Sequence, residues 1–501
     1  MGNDQGEQSG GKSNGALTRR GMLQCVGAAL AMGAFPAKTV HASRPAALPA
    51  GELMTTLSTY MSDAAGRKLP EEVVEKAKHI ILDTLAAMIS GSQLPPGRFA
   101  IQFAGAYKGE KVATVAGSNV VCGPIEAALA NGMLAHSDET DDSHPFSQSH
   151  PGCSVVPAAL AAGELFGIDG TRFLRAVALG YDIGPRVTMT LGRIPYMVAS
   201  HRSTHSIAGN FGSAAAAACA AGLSALQMRF VLSYAAQQAS GLASWQRDSD
   251  HIEKAFDFGG MPARSGVTAA LLVQAGATGV DDILSGNDNF FLAFQPMNKP
   301  ELLIEKLGER YEITRTNIKK WTVGSPIQAV LDAMENLLKR NRFGPEQVKQ
   351  VIVRVATNEA AVVNNREIPD ISLQHLVAVM LVDKTVSFRS AHEKARMQDP
   401  AILRERAKVQ LIPDEELERR LPQREAIVEV VLADGKRLTE HVEVVRGAFD
   451  NPMTRDEVIA KARDLITPVL GAAVSGKLID KVFSLETVKN VREFRPLIQR
   501  A

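Results

Sequence analysis

A chain of 501 residues, 45% hydrophobic and 22% charged, is a globular protein long enough for one large domain and a smaller one. Its net charge of +1 gives no electrostatic reason to bind nucleic acid or an acidic membrane surface. Aromatics are only 5% and alanine crowds residues 213–221, which predicts helices packed closely on small side chains.

The first forty residues stand apart. Residues 1–17 are rich in Gly, Ser and Asn and read as disordered. Thr18-Arg19-Arg20-Gly21-Met22-Leu23-Gln24 then leads into the apolar run Cys25 to Phe35 and small residues near Val40-His41-Ala42. That order is the layout of an export signal, and the paired arginines resemble the twin-arginine type. Residues 1–42 are therefore expected to be a leader and the protein periplasmic. The apolar run is too short for a comfortable span, so no stable membrane insertion is expected. Cys122, Cys153 and Cys219 remain, an odd set with no Cys-x-x-Cys pair, which argues against a disulfide framework or a structural zinc site.

Residues 52–92 read as helical, with Pro70, Glu71 and Glu72 opening the main run. Further apolar helices are predicted at 124–136, 154–166, 172–182, 206–222, 226–242 and 264–276. Near residue 300 the pattern changes. Val351–Val355 and Ile427–Leu432 are β-branched runs, and Asp434-Gly435 before Leu438 predicts a hairpin. Helices at 325–340 and 371–383 accompany them. After Asn451-Pro452 the chain returns to helix, with Thr454 as N-cap. The fold expected is mainly α: a large helical domain at 52–310, an inserted α+β lid at 311–445, and a helical return at 446–501.

The densest chemistry lies between two of these helices. His136-Ser137-Asp138-Glu139-Thr140-Asp141-Asp142-Ser143-His144, continuing to His150-Pro151-Gly152, holds four acids and three imidazoles in fifteen residues. A carboxylate raises the proton affinity of a nearby imidazole, and burial pushes either group toward neutrality, so the segment suits proton transfer. Pro151 biases His150 toward extended backbone and Gly152 permits a close turn, which sets His150 at a helix mouth as the leading acid or base. Glu139, Asp141 or Asp142 could orient it. A divalent metal is the rival chemistry, disfavoured because adjacent acids point different ways on a regular backbone.

A second cluster, His201-Arg202-Ser203-Thr204-His205-Ser206, opens another small-residue helix whose N-terminus favours an anion. Lys254, and the pair Lys319-Lys320 before Trp321 and Gly324-Ser325-Pro326, could each meet a carboxylate as a point charge.

Together these pieces resemble the MmgE/PrpD family, which includes 2-methylcitrate dehydratases and cis-aconitate decarboxylases. The likeness covers most of residues 52–465. Besides the segment above it rests on Gly209-x-Phe211-Gly212-Ser213, Lys254-x-x-x-x-Gly259, Lys319 to Ala329, Ser372-Leu373-Gln374-His375 and Arg446-Gly447…Asn451-Pro452-Met453. The resemblance implies a helical domain with an α+β lid, and a cofactor-free, metal-free lyase for a small di- or tricarboxylic acid, acting as a homodimer. It implies His150, Glu139 and Ser143 as catalytic, with Lys254 and Lys319 binding substrate; the residues themselves add Asp142 to the catalytic set and His205 and Lys320 to the binding set. Glu139 stands where the family has Asp, and Ser143 where it has Thr. The family tyrosine falls near Val363, one family histidine is replaced by Asp257, and another aligns with Ser203, with His205 two residues away. The same proton abstraction would also serve an isomerase or epimerase. A non-catalytic periplasmic carboxylate-binding protein is the rival from another class.

Overall fold

Proline and acidic residues start the helices where the sequence places them. Pro70, with Glu71 and Glu72 in the first turn, opens the helix Glu71–Gly91, and Pro124 opens Pro124–Ala135. The computed structural model describes residues 50–294 and 299–500; the leader expected at 1–42 lies outside them. The helical run 52–92 is two helices, Glu52–Asp63 and Glu71–Gly91.

At the centre, Thr204–Ala221 packs against Gly152–Phe166, Gly170–Leu191 and Met261–Gln274. The small residues make this possible. A Cβ on Gly184 would stand 2.3 Å from the carbonyl oxygen of Ala208, so only glycine lets these two backbones approach. The helix expected to stop at 182 runs on through Pro185 to Leu191. Just beyond the proline, the buried Arg186 side chain donates to the carbonyls of Glu305 at 2.6 Å and Arg310 at 2.8 Å.

The sheet-forming residues gather later. Strands β1 (Ala113–Thr114) and β2 (Val121–Cys122) make only a small antiparallel pair. Strands β3 (Val348–Ala356), β4 (Val409–Asp414), β5 (Ala426–Leu432) and β6 (Arg437–Val442) form one sheet in the order β4-β3-β5-β6. β3 and β4 are parallel and the other pairs antiparallel. The predicted hairpin is the β5–β6 turn, where Gly435 takes φ 87°. β4 was not legible in the sequence. It is half-buried and carries Pro413, a residue tolerated because the strand lies at the sheet edge.

Two apolar cores result. One draws on the helices before Ile318 and again from Met453 to Ile498. The other is built from Trp321 to Val442, with Val351, Val353, Leu376, Val428 and Val430 at its centre. The return begins at Thr454, whose hydroxyl caps the backbone of Glu457 while the Glu457 carboxylate reaches back. Among the described residues no helix is long and apolar enough to cross a membrane, and Cys122, Cys153 and Cys219 are buried and free.

Candidate active site

The loop between Pro124–Ala135 and Gly152–Phe166 is buried almost throughout, so each of its polar groups needs a partner. Asp141 is the hub. Its Oδ2 lies 2.9 Å from His136 Nδ1 and its Oδ1 3.1 Å from His150 Nδ1, with Lys319 Nζ 3.6 Å away. Burial raises the Asp141 pKa, but His136, His150 and Lys319 outweigh it and hold the carboxyl well below its usual range. An ionised carboxylate only accepts, so both imidazoles donate to it from Nδ1. Burial brings His150 down to about 4 against the pull of Asp141, so it is a neutral base at pH 7. Its side chain retains 11% exposure, the access a reacting group requires.

Glu139 meets both site lysines. Lys254 Nζ donates to its Oε1, and Lys319 Nζ lies 3.7 Å from Oε2 while donating to the Glu139 carbonyl at 2.7 Å. Burial works against the charge of Glu139, yet Lys254 and Lys319 hold its pKa well below normal. A backbone bridge delivers Lys319: Ser143 N–H donates to Asn317 at 3.1 Å and Asn317 N–H returns 2.8 Å to Ser143.

The predicted residues therefore divide. His150, Glu139, Lys254 and Lys319 converge. His205 joins them, its ring 5.2 Å from that of His150 and stacked at 3.8 Å on Phe258; burial, with His150 and Lys254 nearby, keeps it neutral. Asp142 faces away. Its Oδ1 accepts from Gly152 N–H at 3.0 Å and its Oδ2 from the Tyr181 hydroxyl, so it fixes the loop to two helices. Burial and the charge of Asp141 push its pKa up to about 7. Ser143 contributes through its backbone; with Lys319, Asn317 and Gln328 it also lines a recess of about 70 Å³ that does not reach His150. Lys320 does not join Lys319 at Glu139 but pairs with Glu335 at 2.6 Å. Val363 is wholly buried in the second core.

Other members carried no sequence signal. His251 takes a left-handed backbone, φ 61°, which turns its ring to 5.1 Å from that of His136. His392 lies far along the chain, yet its Nε2 is 2.8 Å from Asp138 and 3.8 Å from Asp370. Burial alone would lower its pKa, but Asp138 and Asp370 raise it to about 9. Lys461 ties Thr140 O at 2.9 Å to Asp83 at 2.6 Å. Phe258 lies in a π-helical turn, Phe256–Gly260, between the rings of His136 and His205. That turn presses on Pro124–Ala135: a Cβ on Gly132 would stand 2.4 Å from Gly259 O. Two departures from the family pattern meet, since the Ser203 hydroxyl donates to Asp257 at 2.5 Å. Burial lifts that aspartate to about 7.

A mainly helical frame thus surrounds a buried cluster of carboxylates, imidazoles and ammonium groups, a set that can exchange protons and hold an anion. Residues 55–303 match the MmgE/PrpD N-terminal domain and residues 321–485 the MmgE/PrpD C-terminal domain. The chain belongs to the MmgE/PrpD family and is an enzyme, a lyase of that type. It is 26% identical to a cis-aconitate decarboxylase-like protein of Aspergillus oryzae, over 90% of this chain and 98% of the relative. It is 25% identical to the cis-aconitate decarboxylase of Aspergillus terreus (88% and 94% covered) and 25% identical to that of Homo sapiens (86% and 91%). These relatives correct the expected location. They are fungal and human proteins, from cells without a periplasm, so they are not twin-arginine-exported proteins, and the periplasmic assignment falls.

Proposed function

We propose that the protein is a cofactor-independent lyase that dehydrates or decarboxylates a small di- or tricarboxylic acid. The observation that carries the reading is the shared carboxylate of Asp141. It orients His150 so that the Nε2 lone pair removes or returns a proton next to a substrate carboxylate. Lys254 and Lys319 receive carboxylates and stabilise the charge that develops on them. Glu139, already the counter-ion of Lys254, must share that ammonium with substrate and is the specificity position. In this reading Asp142 and Ser143 position the loop, and His205 backs His150. Names of the relatives support decarboxylation of a tricarboxylate among the candidates. We place the working divisions at 52–310, 311–445 and 446–501, with the α+β part as a lid over the site. The homodimer rests on the family resemblance.

A screen of di- and tricarboxylates in deuterium oxide, followed by proton NMR, tests the function. Loss of water or carbon dioxide from one acid, abolished in His150→Ala with binding retained, is the expected result. Solvent exchange with inversion and no loss would make the enzyme an epimerase. Binding without turnover or exchange for any acid would refute the catalytic reading.

A further inference from the structure

We propose that His136, His251 and Glu139 form a binding site for a borderline transition-metal ion, with Zn²⁺ as the type ion, that competes with Lys254 for Glu139. One donor atom from each of these three residues lies within 4.8 Å of the others, and all three residues are buried. Nε2 of His136 and Nε2 of His251 are both buried without a hydrogen-bond partner. An orphaned buried nitrogen is costly unless something occupies its lone pair.

The second observation is the orientation of His136. Its Nδ1 lies 2.9 Å from the Asp141 side chain, which turns Nε2 away from Asp141. A carboxylate behind an imidazole is the arrangement that orients and strengthens a metal-ligating histidine. Two imidazoles and one carboxylate are a ligand set that catalytic zinc sites use. Donors of a tetrahedral zinc stand about 3.3 Å apart, so closing on the ion asks a shift of only about 1.5 Å from flexible side chains.

Lys319 lies 3.7 Å from Glu139 Oε2, but the nearer opposing charge is Lys254, whose ammonium holds Oε1. It is a single charge on a flexible stem with 16% exposure, so it can turn toward solvent when a dication replaces it. Bound zinc therefore inhibits turnover. That consequence rests on the role proposed above for Lys254; the binding does not.

Zinc chloride titrated calorimetrically into chelator-treated protein tests the site. Saturable binding of one equivalent is expected, with none for Mg²⁺, which prefers all-oxygen ligands. Asp141→Asn should weaken zinc by about 10–100-fold. His251→Asn, a residue that tolerates the left-handed backbone, should weaken it further. Should that variant fail to fold, Glu139→Gln answers the same question. Lys254→Met should tighten binding. Absence of saturable binding in the wild type overturns the proposal. So does wild-type affinity in a folded His251→Asn or Glu139→Gln variant, which would place the ion on surface histidines such as His201 and His441, or weaker binding in Lys254→Met. Zinc binding in the expected pattern without turnover of any acid would leave this site standing and remove only the proposed lyase substrate class.

Discussion

Asp141→Asn isolates the proton-transfer argument. The carboxylate spends one oxygen on His136 and the other on His150, and both imidazoles donate to it. An asparagine offers one accepting oxygen and one donating amide. One imidazole must then place its proton on Nε2 and turn an acceptor at Nδ1 toward the amide. The variant also loses a charge 3.6 Å from Lys319. Where His150 switches, its Nε2 is blocked as a base. General acid–base catalysis is worth about 10²–10⁴ in rate, or about 3–5 kcal/mol of barrier. Side-chain size is unchanged, so the loss should appear in kcat with little change in KM. The assay is the initial rate on whichever acid the NMR screen identifies, beside a denaturant melt to confirm the fold. A folded Asp141→Asn enzyme within threefold of wild-type kcat would refute the reasoning, because neither the tautomer of His150 nor the carboxylate charge behind its ring would then matter.

Gly132→Ala should destabilise the protein by about 1–3 kcal/mol, since the new methyl meets the fixed Gly259 carbonyl at 2.4 Å; an unchanged urea midpoint would contradict the close contact. The Asp142 pKa predicts a pH-dependent gain. Its folded value, about 7, lies above the ordinary aspartate value of 3.8, so its contribution is fully present below pH 4 and is lost as pH rises through 7. Asp142→Asn mimics the protonated form and should gain on wild type across that window, by up to about 4 kcal/mol. Urea melts of both proteins at pH 4.5 and 7.5 measure the change; a difference independent of pH would show that Asp142 does not titrate in the fold. His150 runs the other way: its folded value, near 4, is below the ordinary 6.5, so stability is lost as pH falls from 6.5 toward 4. Turnover by neutral His150 should accordingly persist down to about pH 5, read from the pH profile of kcat/KM.

Much of the frame was legible because its signals are local. Pro70, Pro124, Thr454 and Asp434-Gly435 mark starts and a turn through their own backbone chemistry, and helical periodicity marks the extent of each helix. Residues whose state depends on distant partners were not legible. The helix that runs on through Pro185 is tied by Arg186 to a carbonyl more than a hundred residues away, and β4 pairs along the edge of β3.

The same division runs through the site. The sequence by itself determined that residues 136–150 concentrate acids and imidazoles, and that His150 stands at a helix mouth before Pro151-Gly152. It could not decide which acid serves His150. Asp141 and Asp142 are adjacent, and their side chains leave the backbone in different directions. Only the fold shows Asp141 turned to the imidazoles and Asp142 spent on Gly152 and Tyr181. It likewise separates Lys319 from Lys320 and brings His251 and His392 to a loop they do not neighbour in sequence. Charge and spacing are properties of a segment; direction and company are set by packing.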